Sequence, residues 1–321
     1  MTRFAYAAAL AALCCGTAMA DDVVRLGNLK FAHYGAVSYM KELGPKYGLR
    51  VEERVFPKGL DILPAIVAGE IDVAASAADA AIAGRAAGAP VYAVAGFARG
   101  GIRLVGRKGL GIATVAQLKG RKVGVPRGGA QELALFAELA KYGLTWAEQP
   151  GKDVQIVYLA YADLNQALLQ GQIDAMSQSE PQSTQAIEKG IGTEISKPYD
   201  TPMGEPIRVM VMTEKMYRER PDVAARVMKC FVEATRIFLA DPALASRYVR
   251  EKMFKGQISE REYSDAMSNA AFTYDLTVDH IQTTTDLMVR YGVGRLQHAP
   301  RAADWVKLDL LRKAKAELGI R

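Results

Sequence analysis

The chain of 321 residues has few of the side chains on which metal and redox sites depend. It contains three cysteines and three histidines. A disulfide framework is therefore excluded, and a site built from several histidines is disfavoured. Cys230 sits in a row of residues with helical apolar spacing, which indicates a buried core thiol rather than a nucleophile. We accordingly predict neither a metal nor a cofactor.

The motifs of catalysis and of nucleic-acid binding are missing too. The sequence has no G-x-S-x-G, H-E-x-x-H, P-loop or C-x-x-C pattern, so we predict that the protein is not an enzyme. Gly109-Leu110-Gly111 lacks the third glycine of a dinucleotide fingerprint. The net charge of +6 is spread along the chain, which argues against a nucleic-acid partner. No run after residue 20 approaches the roughly 18 apolar residues of a membrane span.

The first twenty residues have the composition of an export signal. Arg3 gives a positive start, Phe4–Leu13 is apolar, and Ala18-Met19-Ala20 matches an A-x-A cleavage pattern. The apolar run is too short to anchor the chain in a bilayer. Cys14 and Cys15 hint at a lipoprotein, but neither follows the small residue that lipidation expects. We predict cleavage after Ala20.

Beyond the signal, short apolar runs alternate with helical patterns, which predicts mostly parallel sheets covered by helices. Residues 62–72 align with 164–174 at a constant offset of 102, with identical Ala, Gly, Ile and Asp at four positions. We therefore predict two similar α/β lobes and a helical C-terminal tail. The predicted strands are 23–29, 51–56, 71–74, 91–94, 122–125, 154–159, 173–176 and a strand from about 207 to 213.

The repeat also predicts how the chain is divided. Residues 1–20 form the signal, 21–104 the first part of lobe 1, and 105–204 lobe 2. Residues 205–321 return to lobe 1 and add the C-terminal helices. The two crossings, near Gly101–Arg107 and Glu205–Arg208, would form a hinge.

Small and polar residues follow the predicted strands at the points where helices begin, which is where open α/β sheets bind ligands. Backbone N–H groups at helix N-termini favour anions. Arg127 could bind a carboxylate or sulfonate through two hydrogen bonds. Other candidates lie in three predicted loops, 31–35, 97–99 and 177–180. The candidate ligand-binding residues are Phe31, His33, Tyr34, Ser76, Asp79, Phe97, Arg99, Arg127, Gly128, Gly129, Gln131, Ser179 and Glu180.

Three segments, 67–74 (VAGEIDVA), 118–125 (LKGRKVGV) and 168–175 (LLQGQIDA), carry a family resemblance. With the export signal and the two lobes, the chain resembles periplasmic substrate-binding proteins of ABC transporters, in the nitrate/sulfonate/taurine and thiamine-precursor group. The resemblance implies a type II-like, two-lobed fold that closes over one small molecule. It also implies a periplasmic monomer that delivers its ligand to a membrane permease and its ATPase. By position it points to Phe31, His33, Ser76, Arg127, Gly128 and Ser179.

The residues leave the ligand open. One hypothesis is a small organic anion, a sulfonate or aromatic carboxylate, with Arg127 and Arg99 as counter-charges and aromatic rings stacking on it. The alternative is a neutral heteroaromatic such as a thiamine pyrimidine precursor or a flavin, held by Asp79 and Glu180. Either carboxylate could instead cap its own helix. A pyrimidine-synthase-like enzyme is disfavoured because the chain lacks the cysteine-rich motif of those enzymes. A sensory role, with the loaded protein docking on a receptor, also stays open.

Overall fold

The computed structural model describes residues 21–320. The predicted signal peptide lies outside the described residues. The strands are β1 (Asp22–Leu29), β2 (Leu49–Phe56), β3 (Val73–Ala77), β4 (Val91–Gly100), β5 (Ile102–Arg107), β6 (Arg121–Val125), β7 (Trp146–Ala147), β8 (Val154–Tyr158), β9 (Ala175–Ser179), β10 (Gly192–Ser196), β11 (Ile207–Thr213) and β12 (Ala270–Phe272).

Helices cover both sheets and make up most of the C-terminal third. They are α1 (Gly35–Leu43), α2 (Ile62–Val67), α3 (Ala78–Ala86), α4 (Ala130–Lys141), α5 (Tyr161–Leu169), α6 (Gln182–Glu188), α7 (Glu214–Glu219), α8 (Pro221–Ala240), α9 (Pro242–Arg247), α10 (Glu260–Ser268), α11 (Val278–Tyr291), α12 (Ala302–Trp305) and α13 (Asp309–Glu317). Within residues 21–320, no helix combines the length and apolar character needed to cross a membrane.

The strands form two six-stranded sheets, ordered β12-β4-β11-β3-β1-β2 and β10-β5-β9-β6-β8-β7. The predicted α/β fold with two lobes is thereby confirmed. Each sheet has a parallel centre, in which β1 pairs with β2 and β3, and β6 pairs with β8 and β9. Each also holds one antiparallel strand that enters where the chain crosses between lobes, β11 beside β3 and β5 beside β9.

The first sheet is more mixed than predicted. Strand β11 inserts between β3 and β4 and runs opposite to both. Strand β12 adds a further antiparallel edge beside β4. Three of the five neighbouring pairs in this sheet are therefore antiparallel. The return of the chain from the second lobe explains the difference, because a crossing strand arrives from the opposite direction.

The repeated segment explains why the two lobes look alike. Strands β3 and β9 begin and end 102 residues apart, at Val73 and Ala175 and at Ala77 and Ser179. In front of each strand an aspartate accepts a hydrogen bond from the backbone of a neighbouring strand: Asp72 from Arg25 N and Asp174 from Lys122 N, both at 3.0 Å. The Ile-Asp pair thus forms the turn before the strand.

Two predicted strands start later in the structure, and two predicted loops lie mostly or wholly in strands. Strands β3 and β9 start two residues later than predicted, so Ser177, Gln178 and Ser179 lie inside β9 rather than in a loop. Strand β4 extends to Gly100, so 97–99 also belongs to a strand. The predicted helical tail is interrupted between Trp305 and Asp309, where Val306 forms a bridge with Ala93.

The described chain divides naturally at its crossings. The first sheet takes its strands from 22–100 and 207–272, and the second from 102–196. We call the parts around them the first and second lobe. The predicted boundaries at 104/105 and 204/205 stay a prediction. Cys230 is fully buried in α8, where burial raises the pKa of its thiol to about 12. A thiol with such a pKa is inert near neutrality.

Candidate functional site

A cavity lies between the lobes where strand ends from both sheets meet. Its lining comes from both lobes and comprises Leu29, Phe31, Tyr34, Lys58, Gly59, Ala77, Ala80, Arg127, Gly128, Gly129, Gln131, Tyr161, Ser179 and Arg208. Seven of these were named from the sequence. The other predicted residues lie around the cavity or outside it.

Aromatic rings from both lobes meet at the cavity. The Phe31 ring lies 5.5 Å from Tyr34 and 5.1 Å from Tyr161, centroid to centroid. Phe31 belongs to the first lobe and Tyr161 to the second, so this pair joins the lobes across the cleft. Phe97 lies one layer deeper, fully buried, with its ring 4.7 Å from Tyr34. These rings give the cleft flat apolar faces on which a planar group can stack.

The buried cation of the cleft is Arg208, the second residue of β11. Its side chain is buried, with a relative accessibility of 2% for the residue. Nη1 donates to the Pro206 carbonyl at 3.4 Å, whereas Nη2 has no hydrogen-bond partner among residues 21–320. A buried guanidinium with a free N–H edge on a cavity is a ready site for an anion. In the sequence, Arg208 stands out only as part of the second predicted crossing. Its signal was a single arginine beside the apolar run Val209–Met212.

Asp79 lies in the first turn of α3 and is also 2% exposed. Neither carboxylate oxygen has a hydrogen-bond partner in the part of the chain that is described. The side chain borders a second small cavity, together with Pro206, His280 and Thr284. Burial raises the pKa of Asp79 to about 6, against an opposing effect of the nearby Arg208 charge.

His33 completes a buried polar cluster with Arg208 and Asp79. It is fully buried and stacks on Phe31 at 5.9 Å, and neither ring nitrogen has a partner within 21–320. Burial, with the Arg208 charge, holds the pKa of His33 well below its usual value. The imidazole is therefore neutral at physiological pH. It also packs on the hinge, because a Cβ at Gly101 would lie 2.8 Å from its Cε1.

Glu180 belongs to the hinge rather than to the cavity lining. The fully buried carboxylate lies 2.9 Å from Arg103 Nε and accepts from Asn269 Nδ2 at 2.9 Å. Its other oxygen accepts from Thr184 N at 3.2 Å and from Thr184 Oγ1 at 2.9 Å. The residue thus caps the start of α6. Arg103 continues to Asp265 of α10 at 2.9 Å, which ties the second lobe to the first.

The two arginines chosen from the sequence have other partners. Arg127 lies at the cavity edge, half exposed, 2.7 Å from Glu148 and stacked 3.5 Å above the Tyr158 ring. Arg99 is exposed in β4, 3.3 Å from Glu205, and is not among the cavity-lining residues. Both guanidiniums are therefore engaged in solvent-screened pairs.

In the second lobe, the candidate segment Arg127–Gln131 leads into helix α4 at the cavity. Gly129 is the N-cap of α4, and the Gln131 side chain accepts from the Tyr161 hydroxyl at 2.7 Å. Gly128 N donates to Glu132 at 2.7 Å. On the facing lobe, Ser76 is buried at the end of β3, beside Gly59. Within residues 21–320, no cluster of three or more His, Cys, Asp or Glu side chains is placed to hold a metal.

Two known proteins with similar sequences are named as binding proteins. The chain is 25% identical over 246 residues to a Brachyspira hyodysenteriae protein named as an ABC transporter periplasmic binding protein, covering 70% of this chain and 67% of that one. A Brucella abortus protein named as a binding protein is 30% identical over 165 residues, covering 49% of this chain and 48% of its relative. The chain thus spans about half the length of the Brucella relative.

The fold itself recurs among solved structures. The alkanesulfonate-binding protein SsuA from Xanthomonas axonopodis pv. citri, bound to MOPS, superimposes with a TM-score of 0.74 at 20% identity, covering 88% of this chain and 97% of that one. The model of the NMT1-like family matches residues 21–250. The predicted resemblance to periplasmic substrate-binding proteins of ABC transporters is thereby confirmed, and the chain is a binding protein rather than an enzyme. It belongs to the NMT1-like family.

Proposed function

We propose that this protein captures a small organic anion, a sulfonate or an aromatic carboxylate, between its two lobes. It works in the periplasm as a monomer and delivers the anion to the permease and ATPase of an ABC importer. The ligand pairs with Arg208 and stacks on Phe31 and Tyr161.

The observation that supports this proposal is the buried Arg208 guanidinium on the inter-lobe cavity. Charges that are buried are normally paired, and Arg208 keeps its Nη2 edge without a partner among the described residues. An anion in the cleft would supply that partner through a charge-assisted hydrogen bond. The N-terminus of α4, which begins beside Gly129 at the same cavity, adds partial positive charge.

The neutral heteroaromatic alternative fits these residues less well. It relied on Asp79 and Glu180 as acceptors for ring hydrogens. Glu180 already accepts from Asn269 and Thr184 and pairs with Arg103. Asp79 borders a different cavity. A neutral ring would also bring no negative charge to Arg208, which makes no ion pair with Asp79 among residues 21–320.

Ligand exchange needs the lobes to separate, because the cavity is lined from both sides. The residues that would flex are Gly100 and Gly101, with φ of +72° and +76°, and the second crossing at 205–208. A ligand that contacts both lobes stabilises the closed arrangement in proportion to the contacts that only this arrangement offers. A permease can then distinguish the loaded protein from the empty one.

A thermal-shift screen tests the proposal. The protein, from residue 21 onward, is unfolded and refolded to strip bound solutes, and then screened with sulfonates, nitrate, aromatic carboxylates, pyrimidines and flavins. A ligand at a hundredfold its Kd adds about 2.7 kcal/mol to stability. We expect hits among the organic anions that disappear in Arg208→Met and survive in Arg127→Ala. Hits confined to neutral rings, or anion hits that Arg208→Met leaves intact, would overturn it.

A further inference from the structure

We propose that Asp79 competes with the ligand for Arg208, so that an anion enters the cleft together with one proton taken up by Asp79. This inference rests on the proposed binding of an organic anion. It adds that affinity for the anion rises as the pH falls toward the acid side of neutrality.

One cation, Arg208, has two possible anionic partners, the Asp79 carboxylate and a ligand in the cleft. Arg208 is the residue of β11 that pairs with Ala77, the last residue of β3, and Asp79 follows two residues later. Both side chains are 2% exposed. Arg208 lines the inter-lobe cavity, whereas Asp79 lines the separate cavity beside Pro206. In the part of the chain that is described, no hydrogen bond or ion pair within 4 Å joins them, so the guanidinium keeps an edge for the cleft.

Charge balance makes the carboxylate respond to the ligand. When the cleft holds no anion, the Arg208 charge favours the ionised form of Asp79. A bound anion places a second negative charge near the same guanidinium, in surroundings that screen charge poorly. One of the two anions then binds a proton. A sulfonate is too weak a base to do so, and the proton therefore goes to an Asp79 carboxylate oxygen, which turns from acceptor into O–H donor.

The imidazoles and phenols around the cluster are shifted toward their neutral forms. Burial lowers the pKa of His33 and of His280, which favours the neutral imidazole in both. Burial raises the pKa of Tyr34 and of Tyr161 above the usual value of a phenol, so both stay protonated. Glu132, on α4, is held by Gly128 N and by the Tyr158 hydroxyl.

Asp79 differs from all of these groups. Its pKa is raised to about 6, which places its change of charge next to the pH at which the ligand would bind. A further rise caused by a bound anion would move that change through neutrality. The proton uptake is then largest between about pH 6 and the pKa that Asp79 has in the loaded protein.

The first experiment needs no ligand. The Asp79 carboxyl carbon is followed by NMR in the ¹³C-labelled protein across pH 4–9, and its signal is identified by its loss in Asp79→Asn. Removing the cation in Arg208→Gln imitates neutralisation by an anion. We expect the pKa of Asp79 to rise in that variant because its counter-charge is gone. An unchanged pKa would overturn the proposal, since Asp79 and Arg208 would then be uncoupled.

The second experiment uses ethanesulfonate and benzoate as probes. Calorimetry in two buffers of different ionisation enthalpy measures proton uptake, and affinities are compared from pH 5.5 to 8. We expect the affinity to fall by up to about tenfold per pH unit above pH 6, the limit for one linked proton. Asp79→Asn should bind more tightly than the parent at pH 8 and lose the pH dependence. Asp200→Asn, which changes a surface carboxylate, should match the parent.

The outcomes separate the two proposals. A parent protein whose affinity does not vary with pH, or an Asp79→Asn variant that binds more weakly at pH 8, would overturn the proton linkage while leaving anion binding intact. Failure of both probes to bind any variant would count against the anion function itself. The NMR titration would then still decide whether Asp79 titrates against Arg208.

Discussion

Each lobe has a carboxylate after the equivalent strand, and the two carboxylates differ in whether they are hydrogen-bonded. Asp79 follows β3 and Glu180 follows β9, and these strands stem from the same Gly-x-Ile-Asp repeat. Glu180 has Arg103, Asn269 and Thr184 as partners, whereas neither oxygen of Asp79 has a hydrogen bond within residues 21–320. Equivalent topology therefore does not imply an equivalent role.

The difference comes from what the rest of the chain brings to each strand end. The segment that follows α10 passes beside Glu180 and supplies Asn269, while α10 itself supplies Asp265 to Arg103. Among residues 21–320 no such segment hydrogen-bonds Asp79, whose charged neighbour in the cluster is Arg208. A carboxylate whose bonds are all made holds the fold together. One that lacks them is free to respond to pH and to a ligand.

Glu180→Gln tests this comparison most directly, because it is expected to have the largest effect on stability. The substitution removes the fully buried one of the three carboxylates that pair with Arg103, and it weakens three hydrogen bonds at the hinge. We expect a loss of about 2–4 kcal/mol in the free energy of unfolding, measured by urea denaturation at pH 7. Glu188→Gln is the matched control, because its partner Arg261 is exposed, and it should change stability by less than about 0.5 kcal/mol. Equal effects of the two variants would show that the hinge network is not special.

Asp79→Asn should act in the opposite direction and only at high pH. Because the pKa of Asp79 in the folded protein is raised from 3.8 to about 6, the native state keeps this proton longer than the unfolded chain. Stability is then lost as the pH rises from about 4 to 6, and the loss of about 3 kcal/mol persists above that. We expect Asp79→Asn to be more stable than the parent by about 2–3 kcal/mol at pH 8 and nearly equal to it at pH 4.

The measurement is urea denaturation of both proteins at the two pH values. Lower stability of Asp79→Asn at pH 8 would mean that the attraction between ionised Asp79 and Arg208 exceeds the cost of burying the carboxylate. Both Asp79 and Glu180 would then stabilise the fold, and they would differ only in how much each contributes.

A smaller difference between the lobes lies at two equivalent glycines. Gly27 pairs with Ala74 and Gly124 with Met176, in the same register relative to β3 and β9. A Cβ at Gly124 would lie 2.5 Å from Ile173 Cδ1, whereas one at Gly27 would meet Ile62 Cγ2 at 3.0 Å. Gly124→Ala should therefore destabilise the protein by about 1–3 kcal/mol, and Gly27→Ala by less. Thermal unfolding of both variants tests the order, and the reverse order would contradict it.

The sequence was sufficient for the features that depend on local pattern. The repeat at an offset of 102 residues predicted two α/β lobes, and it reappears as matching strands, turns and aspartate contacts. The N-terminus of α4 and the aromatic residues after β1 were also found this way. Each of these follows from residues close together in the chain.

Pairing between distant residues could not be predicted in the same way. Arg127 and Arg208 both follow or begin a strand, and only the tertiary contacts of Glu148 and Tyr158 show that Arg127 is engaged. Tyr161 was missed because an aromatic residue at a helix start has no signal that distinguishes the cleft from the core. The local signal of Arg208 is a single arginine near the start of an apolar strand.

At the edge of the cavity one backbone position of the second lobe, Gly128, lies directly against the first lobe. Gly128 has φ of +69°, and a Cβ there would lie 2.4 Å from Leu60 Cδ1 of the facing lobe. A methyl group at this position would have to displace the Leu60 side chain before the two lobes could adopt this arrangement. If the protein captures its ligand by closing, as proposed, a residue other than glycine here would weaken the closed form relative to the open one.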